Sequence, residues 1–150
     1  MGVWQELRDG LRETQTYLLS HHVPAERYRC YAPRIRDRQL HVCARCSGIY
    51  PGIALGAAAH LLELSPLTAF LFVVICPLPA LVDWLLTTFT SRRGSNLVRT
   101  ATGALLGYGY GLGLVYLLRG HVFPTLSVAL TYTLLAGTSL YVSEIRDPPA

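Results

Sequence analysis

Cys43 and Cys46 are the residues of this sequence with the clearest capacity for chemistry. They form a Cys-x-x-Cys motif, and two thiols at this spacing can hold one metal ion or form one disulfide. His21, His22 and Cys30 lie upstream in the same short segment and add nitrogen and sulfur donors. Structural zinc takes four such donors, whereas catalytic zinc takes three and keeps one open position. The segment therefore predicts a zinc or iron site built from these five residues.

The same cysteine pair supports a second interpretation. Cys46 opens the first predicted membrane span, where the helix dipole and the neighbouring Arg45 favour a thiolate. A thiol-disulfide oxidoreductase that uses Cys43 and Cys46 is therefore the alternative. The third interpretation is purely structural: the cysteines are packed, unreactive residues near the membrane interface.

Asp83, Asn96 and Arg99 are the candidate catalytic residues. Asp83 lies inside an otherwise apolar stretch, and a carboxylate in hydrocarbon normally faces a partner, a cavity or a pathway. Asn96 and Arg99 begin the next apolar stretch at the same membrane face, so we expect Arg99 to pair with Asp83. Asp83 would act as a base, a metal ligand or an orienting group, while Asn96 and Arg99 would bind an anionic head group. An ion pair that only fastens two helices is the structural alternative.

The elements that position these residues are predicted by runs without charge. No charged residue occurs between Thr100 and Leu118 or between Val122 and Ser143. A helix needs about 20 apolar residues to cross a bilayer, and a chain of 150 residues cannot bury several such runs in a soluble core. We predict four transmembrane helices at about residues 46–62, 66–89, 98–118 and 122–142.

Two further segments complete what we interpret as a single membrane domain, residues 1–150. Residues 1–20 carry apolar side chains at helical spacing with charges between them, which predicts an amphipathic helix at the membrane interface. Residues 21–45 are polar and contain prolines, and we expect an irregular but ordered cytoplasmic loop that holds the Cys and His residues. The predicted fold class is an all-α integral membrane bundle.

Arginines predict the orientation. The net charge of +4 comes from thirteen Arg and no Lys. Twelve of the Arg precede the first span, lie in the loop between the second and third spans, or lie in the tail; Arg119 is on the other side. The positive-inside rule then predicts a multi-pass protein of the cell membrane with both termini in the cytoplasm. Because topology accounts for the basic charge, we expect no nucleic-acid partner.

Two rows of glycines predict how the helices pack. Gly48, Gly52 and Gly56 recur every four residues in the first span. In the third span the same spacing is found at Gly103, Gly107 and Gly111. Small residues at this spacing let two helix backbones approach closely in lipid.

The run from Cys43 to Gly52 reads Cys-Ala-Arg-Cys-Ser-Gly-Ile-Tyr-Pro-Gly, and a Ser-Asn-x-x-Arg segment with Gly four residues later begins at Ser95. With Asp83 and a His-x-x-Pro element upstream, roughly residues 20–107 resemble the DUF2085 family of small membrane proteins. That resemblance implies a membrane location and leaves the activity open.

The chain departs from the family pattern at three positions. Ser20 stands in place of a Cys, His22 in place of a Gln, and Trp84 in place of a Gly. The resemblance implies that Cys30 or His22 replaces the missing thiol as a ligand.

Three hypotheses about function follow from these features. The first is a membrane metal-binding protein with its Cys/His site at the cytoplasmic interface, acting as an enzyme on a lipid or other amphiphile. The second is the thiol-disulfide oxidoreductase. The third is a small transporter or channel subunit with Asp83 in its pathway; its four short helices would need a homo-oligomer to form a wide pore. The lipid bilayer is the partner common to all three.

Overall fold

The computed structural model describes residues 3–8, 10, 20, 22–35, 38–59 and 64–146. Its bundle consists of α1 (Ala44–Ala59), α2 (Pro66–Ile75), α3 (Leu78–Phe89), α4 (Asn96–Leu118) and α5 (Val122–Arg146). Residues 3–8 and residue 10 are helical and exposed, and their placement at the membrane interface stays a prediction. The other residues of that predicted helix, apart from Ser20, lie outside the described part of the chain.

The all-α membrane bundle is confirmed. Within the described residues, three helical stretches are long and apolar enough to cross a bilayer: Pro66–Phe89, Asn96–Leu118 and Val122–Ile145. They correspond to the second, third and fourth predicted spans. The first predicted span corresponds to α1, whose 16 described residues extend over about 24 Å, somewhat less than the hydrocarbon core. A fourth crossing therefore remains a prediction.

The second predicted span is found as the helical stretch Pro66–Phe89. A turn at Cys76 and Pro77 divides this stretch into α2 and α3, and both residues keep right-handed helical backbone angles. Pro77 has no amide hydrogen to donate to the preceding helical turn, so one helical hydrogen bond is missing there.

Close contact between α1 and α4 is the main packing feature of the bundle. A methyl group added at Gly48, Gly52 or Gly56 would overlap a backbone carbonyl of α4. A methyl group at Gly107 or Gly111 would likewise overlap a carbonyl of α1. The predicted role of the two glycine rows is therefore confirmed, and their contact holds the start of α1 beside the start of α4.

Residues 24–35 and 38–43 form a cap on this end of the bundle. The chain makes a 3-10 helix (Pro24–Arg29) and then strands β1 (Cys30–Tyr31), β2 (Arg34–Ile35), β3 (Arg38–Gln39) and β4 (Val42–Cys43). β2 pairs with β3 and β1 pairs with β4, both antiparallel. The segment predicted to be an irregular loop is thus a small hairpin. The hydroxyl of Tyr31, 2.9 Å from that of Thr100, joins the hairpin to α4.

Helix α5 packs loosely against the others. None of its described side chains is buried, although Val128 contacts the small core formed by Ala59, Val73 and Leu112. Large apolar side chains on its outer surface, such as Phe123 and Leu130, are exposed and suit contact with lipid tails. The loose packing leaves a cavity between α5 and the α2–α4 helices.

Candidate functional site

The cap hairpin brings together cysteines that are distant in sequence. Because β1 and β4 are antiparallel, Cys30 is paired directly with Cys43. Both side chains are buried, at 7% and 2% exposure. Cys46 follows in the first turn of α1, where its thiol interacts with those of Cys43 and Cys30. Three of the predicted donors therefore lie in one cluster.

His22 adds an imidazole to this cysteine cluster. Its Nε2 lies 3.4 Å from the sulfur of Cys43, and its Nδ1 lies 3.1 Å from Oε2 of Glu26. A carboxylate beside Nδ1 favours the tautomer with the proton on that nitrogen, so the lone pair of Nε2 faces the thiol. Glu26 is itself held by Arg29, 3.5 Å from its second oxygen.

Ser20 and Cys30 are in contact, which bears on the departure from the family pattern. The hydroxyl oxygen of Ser20 lies 3.3 Å from the sulfur of Cys30. Ser20, the position at which the resemblance implies a Cys, therefore lies beside Cys30. Of the two residues that the resemblance implied as replacements, Cys30 contacts Ser20 and His22 contacts Cys43.

Asn96 and Arg99 support the cysteine cluster from the start of α4. The amide nitrogen of Asn96 donates to the carbonyl oxygen of Cys30 at 3.3 Å, and Arg99 donates to the Asn96 side-chain oxygen at 3.0 Å. Arg99 is 4% exposed and also donates to the carbonyl of Arg93. Its guanidinium carbon lies 5.6 Å from the ring centre of Tyr28. These contacts fix the backbone of Cys30 relative to the bundle.

Asp83 pairs with Arg45, and not with Arg99 as the sequence had suggested. The carboxylate of Asp83 accepts a hydrogen bond from Nη2 of Arg45, the residue between the two cysteines of the Cys-x-x-Cys motif. The reason is the close packing of α1 on α4, which directs the Arg45 side chain towards α3, while Arg99 is already engaged by Asn96 and Arg93. The Nε of Arg45 is buried and has no hydrogen-bond partner among the described residues.

These contacts do not by themselves make a complete metal centre. In the described part of the chain, no group of three or more His, Cys, Asp or Glu side chains is arranged to hold an ion. His21, one of the predicted ligands, lies outside that part. The sequence did not predict Glu26 and Arg45 as site residues. Glu26 lies four residues after His22, and residues at this spacing in a helix are commonly in contact.

Comparison with known proteins supports the membrane assignment. A family model described as a predicted membrane protein (DUF2085) matches residues 29–113, more than half of the chain. No curated protein and no solved structure matches the chain. The matched region contains the cap hairpin, the Cys-x-x-Cys motif, Asp83 and the start of α4. The chain therefore belongs to the DUF2085 family of membrane proteins.

Proposed function

We propose that this protein binds a metal ion, zinc or iron, at the cysteine–histidine cluster beside the membrane surface. The proposed ligands are Cys30, Cys43, Cys46 and His22. The observation that carries the proposal is the row of contacts from Glu26 through His22 to Cys43. Histidines that bind metals usually donate their other ring hydrogen to a carboxylate, which orients the ring and fixes the tautomer.

The separation of His22 and Cys43 suits two ligands of one ion. Zinc lies about 2.0–2.1 Å from nitrogen and about 2.3 Å from sulfur, so two tetrahedral ligands are about 3.6 Å apart. The observed distance between Nε2 and the sulfur is 3.4 Å. An ion between them would replace the thiol proton, while Cys46 and Cys30 would turn towards it about their staggered side-chain torsions.

Asn96 and Arg99 act in this proposal as positioning residues. They hold the carbonyl of Cys30, and hence β1, against the start of α4. The side chains of Asn96 and Arg99 are already hydrogen-bonded within the protein, so in this proposal they do not bind the substrate.

We infer that the site faces the cytoplasm and that its substrate is an amphiphile. The arginines flanking the spans favour the cytoplasmic side for the cap. The Arg45–Asp83 pair lies next to the cluster and reaches into the bundle, so a molecule at the site would meet both water and the membrane interior. A metal held by only three of these four donors would keep one open position and supply a Lewis acid there, and Asp83 would hold Arg45 in place.

Cobalt binding tests the metal proposal directly. Full-length protein stripped of metal in detergent should take up one Co²⁺ per chain and develop the strong near-ultraviolet absorption of thiolate-to-cobalt charge transfer. Cys43→Ser should abolish that absorption, whereas Cys76→Ala should retain it, because Cys76 lies in the second span, outside the cluster. Equal absorption in both variants, or none in the folded wild type, would contradict the proposal.

A thiol-disulfide oxidoreductase is the second candidate, and one contact favours it. The imidazole of His22 beside Cys43 is able to accept the thiol proton and generate the reactive thiolate. In that case the folded wild type would bind no cobalt, and Cys43 and Cys46 would form a disulfide that a dithiol reductant reverses.

A further inference from the structure

A mainly apolar, partly open cavity lies between the helices of the bundle, and Arg45 lines its end nearest the proposed metal site. Its volume is about 610 Å³, within the range of pockets that enclose small ligands. It lies between α5 and the α2–α4 helices. Leu117 and Thr125 line one end, while Arg45 and Trp84 line the end nearest the cap. Along α4 the lining runs from Leu106 to Leu117, a length of about 16 Å at the helical rise.

Arg45 is the charged residue among the described residues that line this cavity, and its side chain is 24% exposed. The hydroxyls of Thr125, Tyr132 and Thr133 also line the cavity, but each donates to a backbone carbonyl. The Nε of Arg45 is covered by the protein, so the exposed part of the Arg45 side chain is what a molecule in the cavity would meet. A guanidinium donor gains from an acceptor, which favours a molecule that supplies an oxygen at this end.

The charge at Arg45 decides what kind of oxygen fits. Arg45 is already neutralised by the carboxylate of Asp83. An anionic head group would place a second negative charge beside one guanidinium, close to a carboxylate that is 9% exposed. A neutral carbonyl accepts a hydrogen bond from the guanidinium without that repulsion.

We propose that the cavity binds a lipid with one long apolar chain and a neutral carbonyl at its head, the carbonyl accepting a hydrogen bond from the guanidinium of Arg45. The chain lies between α4 and α5 and ends near Leu117 and Thr125. This inference rests on the proposed function in one respect: it identifies the amphiphile that the cysteine–histidine cluster would meet. Arg45 lines the cavity and precedes Cys46 of the cluster in the sequence, so a head group at Arg45 would lie beside Cys46.

Photo-crosslinking in phosphatidylcholine nanodiscs tests the proposal. The probe is a 1-monoacylglycerol with a 16-carbon chain and a diazirine near its methyl end. We expect saturable labelling of about one probe per wild-type chain, mapped by mass spectrometry to peptides that contain Leu117 or Thr125. Labelling that rises in proportion to the probe and spreads over the outer surface of α5 would identify ordinary surrounding lipid only and overturn the proposal.

Two competitors test the neutral head group without any change in the protein. Unlabelled monoacylglycerol should displace the probe at a concentration about tenfold lower than palmitate, which carries a charge at its head. Equal displacement, or better displacement by palmitate, would overturn the choice of a neutral carbonyl.

A pair of neighbouring substitutions on α5 tests the location. Ala129→Trp places an indole in the cavity, whereas Leu130→Trp changes an exposed residue that does not line it. Saturable labelling should fall at least tenfold in the first variant and be retained in the second, with both variants eluting as the wild type does. Equal labelling of two well-folded variants would exclude this cavity.

Arg45→Lys tests the hydrogen bond at the head, because lysine keeps a positive charge for Asp83 but lacks the second donor. We expect the probe to bind the lysine variant several-fold more weakly and the metal to be retained.

The two proposals fail separately in these measurements. Cys43→Ser should lose the metal and keep saturable labelling. A wild type that binds cobalt but labels without saturation would refute the lipid site alone, and the reverse result would refute the metal site alone.

Discussion

At the scale of single residues, Glu26 has the most specific proposed role, which is to orient His22 as a metal ligand. It lies outside the Cys-x-x-Cys motif, yet it contacts the ring nitrogen of His22 that faces away from Cys43. Glu26→Gln keeps the size of the side chain and removes its charge. Because such supporting carboxylates raise ligand basicity, we expect metal affinity to fall about 10–100-fold, as measured by competition with a chelator of known affinity.

The control for this prediction is Glu144→Gln, an exposed residue of α5 far along the chain from the cluster. It should bind metal as the wild type does. If the two variants keep the same affinity, His22 is oriented by something other than Glu26, or it is no ligand.

Asp83 gives the second prediction at this scale. Asp83→Asn leaves Arg45 without its carboxylate. Because Asp83 is buried but Arg45 is 24% exposed, the loss should lie between the ~1 kcal/mol of an exposed pair and the ~3–5 kcal/mol of a buried one. Unfolding of the single variants Asp83→Asn and Arg45→Gln and of the double variant, followed in detergent, measures the coupling.

The double variant should recover part of the loss, since it removes both charges. Strictly additive losses would mean that the two residues are energetically independent. A double variant that is stable but inactive in cells would show that the pair serves chemistry as well as packing.

At the scale of helices, the contact between α1 and α4 should be intolerant of any added methyl group. Gly107→Ala would force a side chain against the carbonyl of Ile49, so we expect a loss of about 1–3 kcal/mol in unfolding experiments. Gly137 has no neighbour within 4 Å, and Gly137→Ala should be neutral or slightly stabilising. Similar losses in both variants would argue against close packing of the two glycine rows.

The spans were largely predictable, because charge-free runs and glycine spacing are local properties of the chain. The turn at Cys76 and Pro77 was not predicted, although Pro77 lacks the amide hydrogen that an uninterrupted helix would use there. The pairing of Cys30 with Cys43 depends on a hairpin of two-residue strands, too short to leave a periodic pattern.

The partner of Asp83 was missed for a different reason. Arg45 and Arg99 both approach it from the same face, and only the packing of α1 decides between them. In contrast, His22 and Glu26 are four residues apart, and this spacing in the sequence could have predicted their contact.

At the scale of the whole molecule, the orientation in the membrane is the prediction that sets where the site works. Reporters inserted after residue 94, between α3 and α4, should lie in the cytoplasm. Reporters after residue 120, between α4 and α5, should lie outside, because most of the arginines flank the former side. Both turns are exposed, so insertion at either should be tolerated.

An external reporter at residue 94 together with a cytoplasmic one at residue 120 would reverse the orientation. The cysteine–histidine cluster would then face an oxidising compartment, and a disulfide between Cys43 and Cys46 would become the better interpretation.

Elemental analysis of the full-length protein, purified in detergent without added metal or chelator, tests the central claim most directly. We expect about one zinc or iron per chain in the wild type, consistent with one site of four donors. The metal should be retained in Cys76→Ala and lost in a folded Cys43→Ser, Cys46→Ser double variant. A well-folded wild type that contains neither metal, and that takes up neither when each is supplied under reducing conditions, would contradict it.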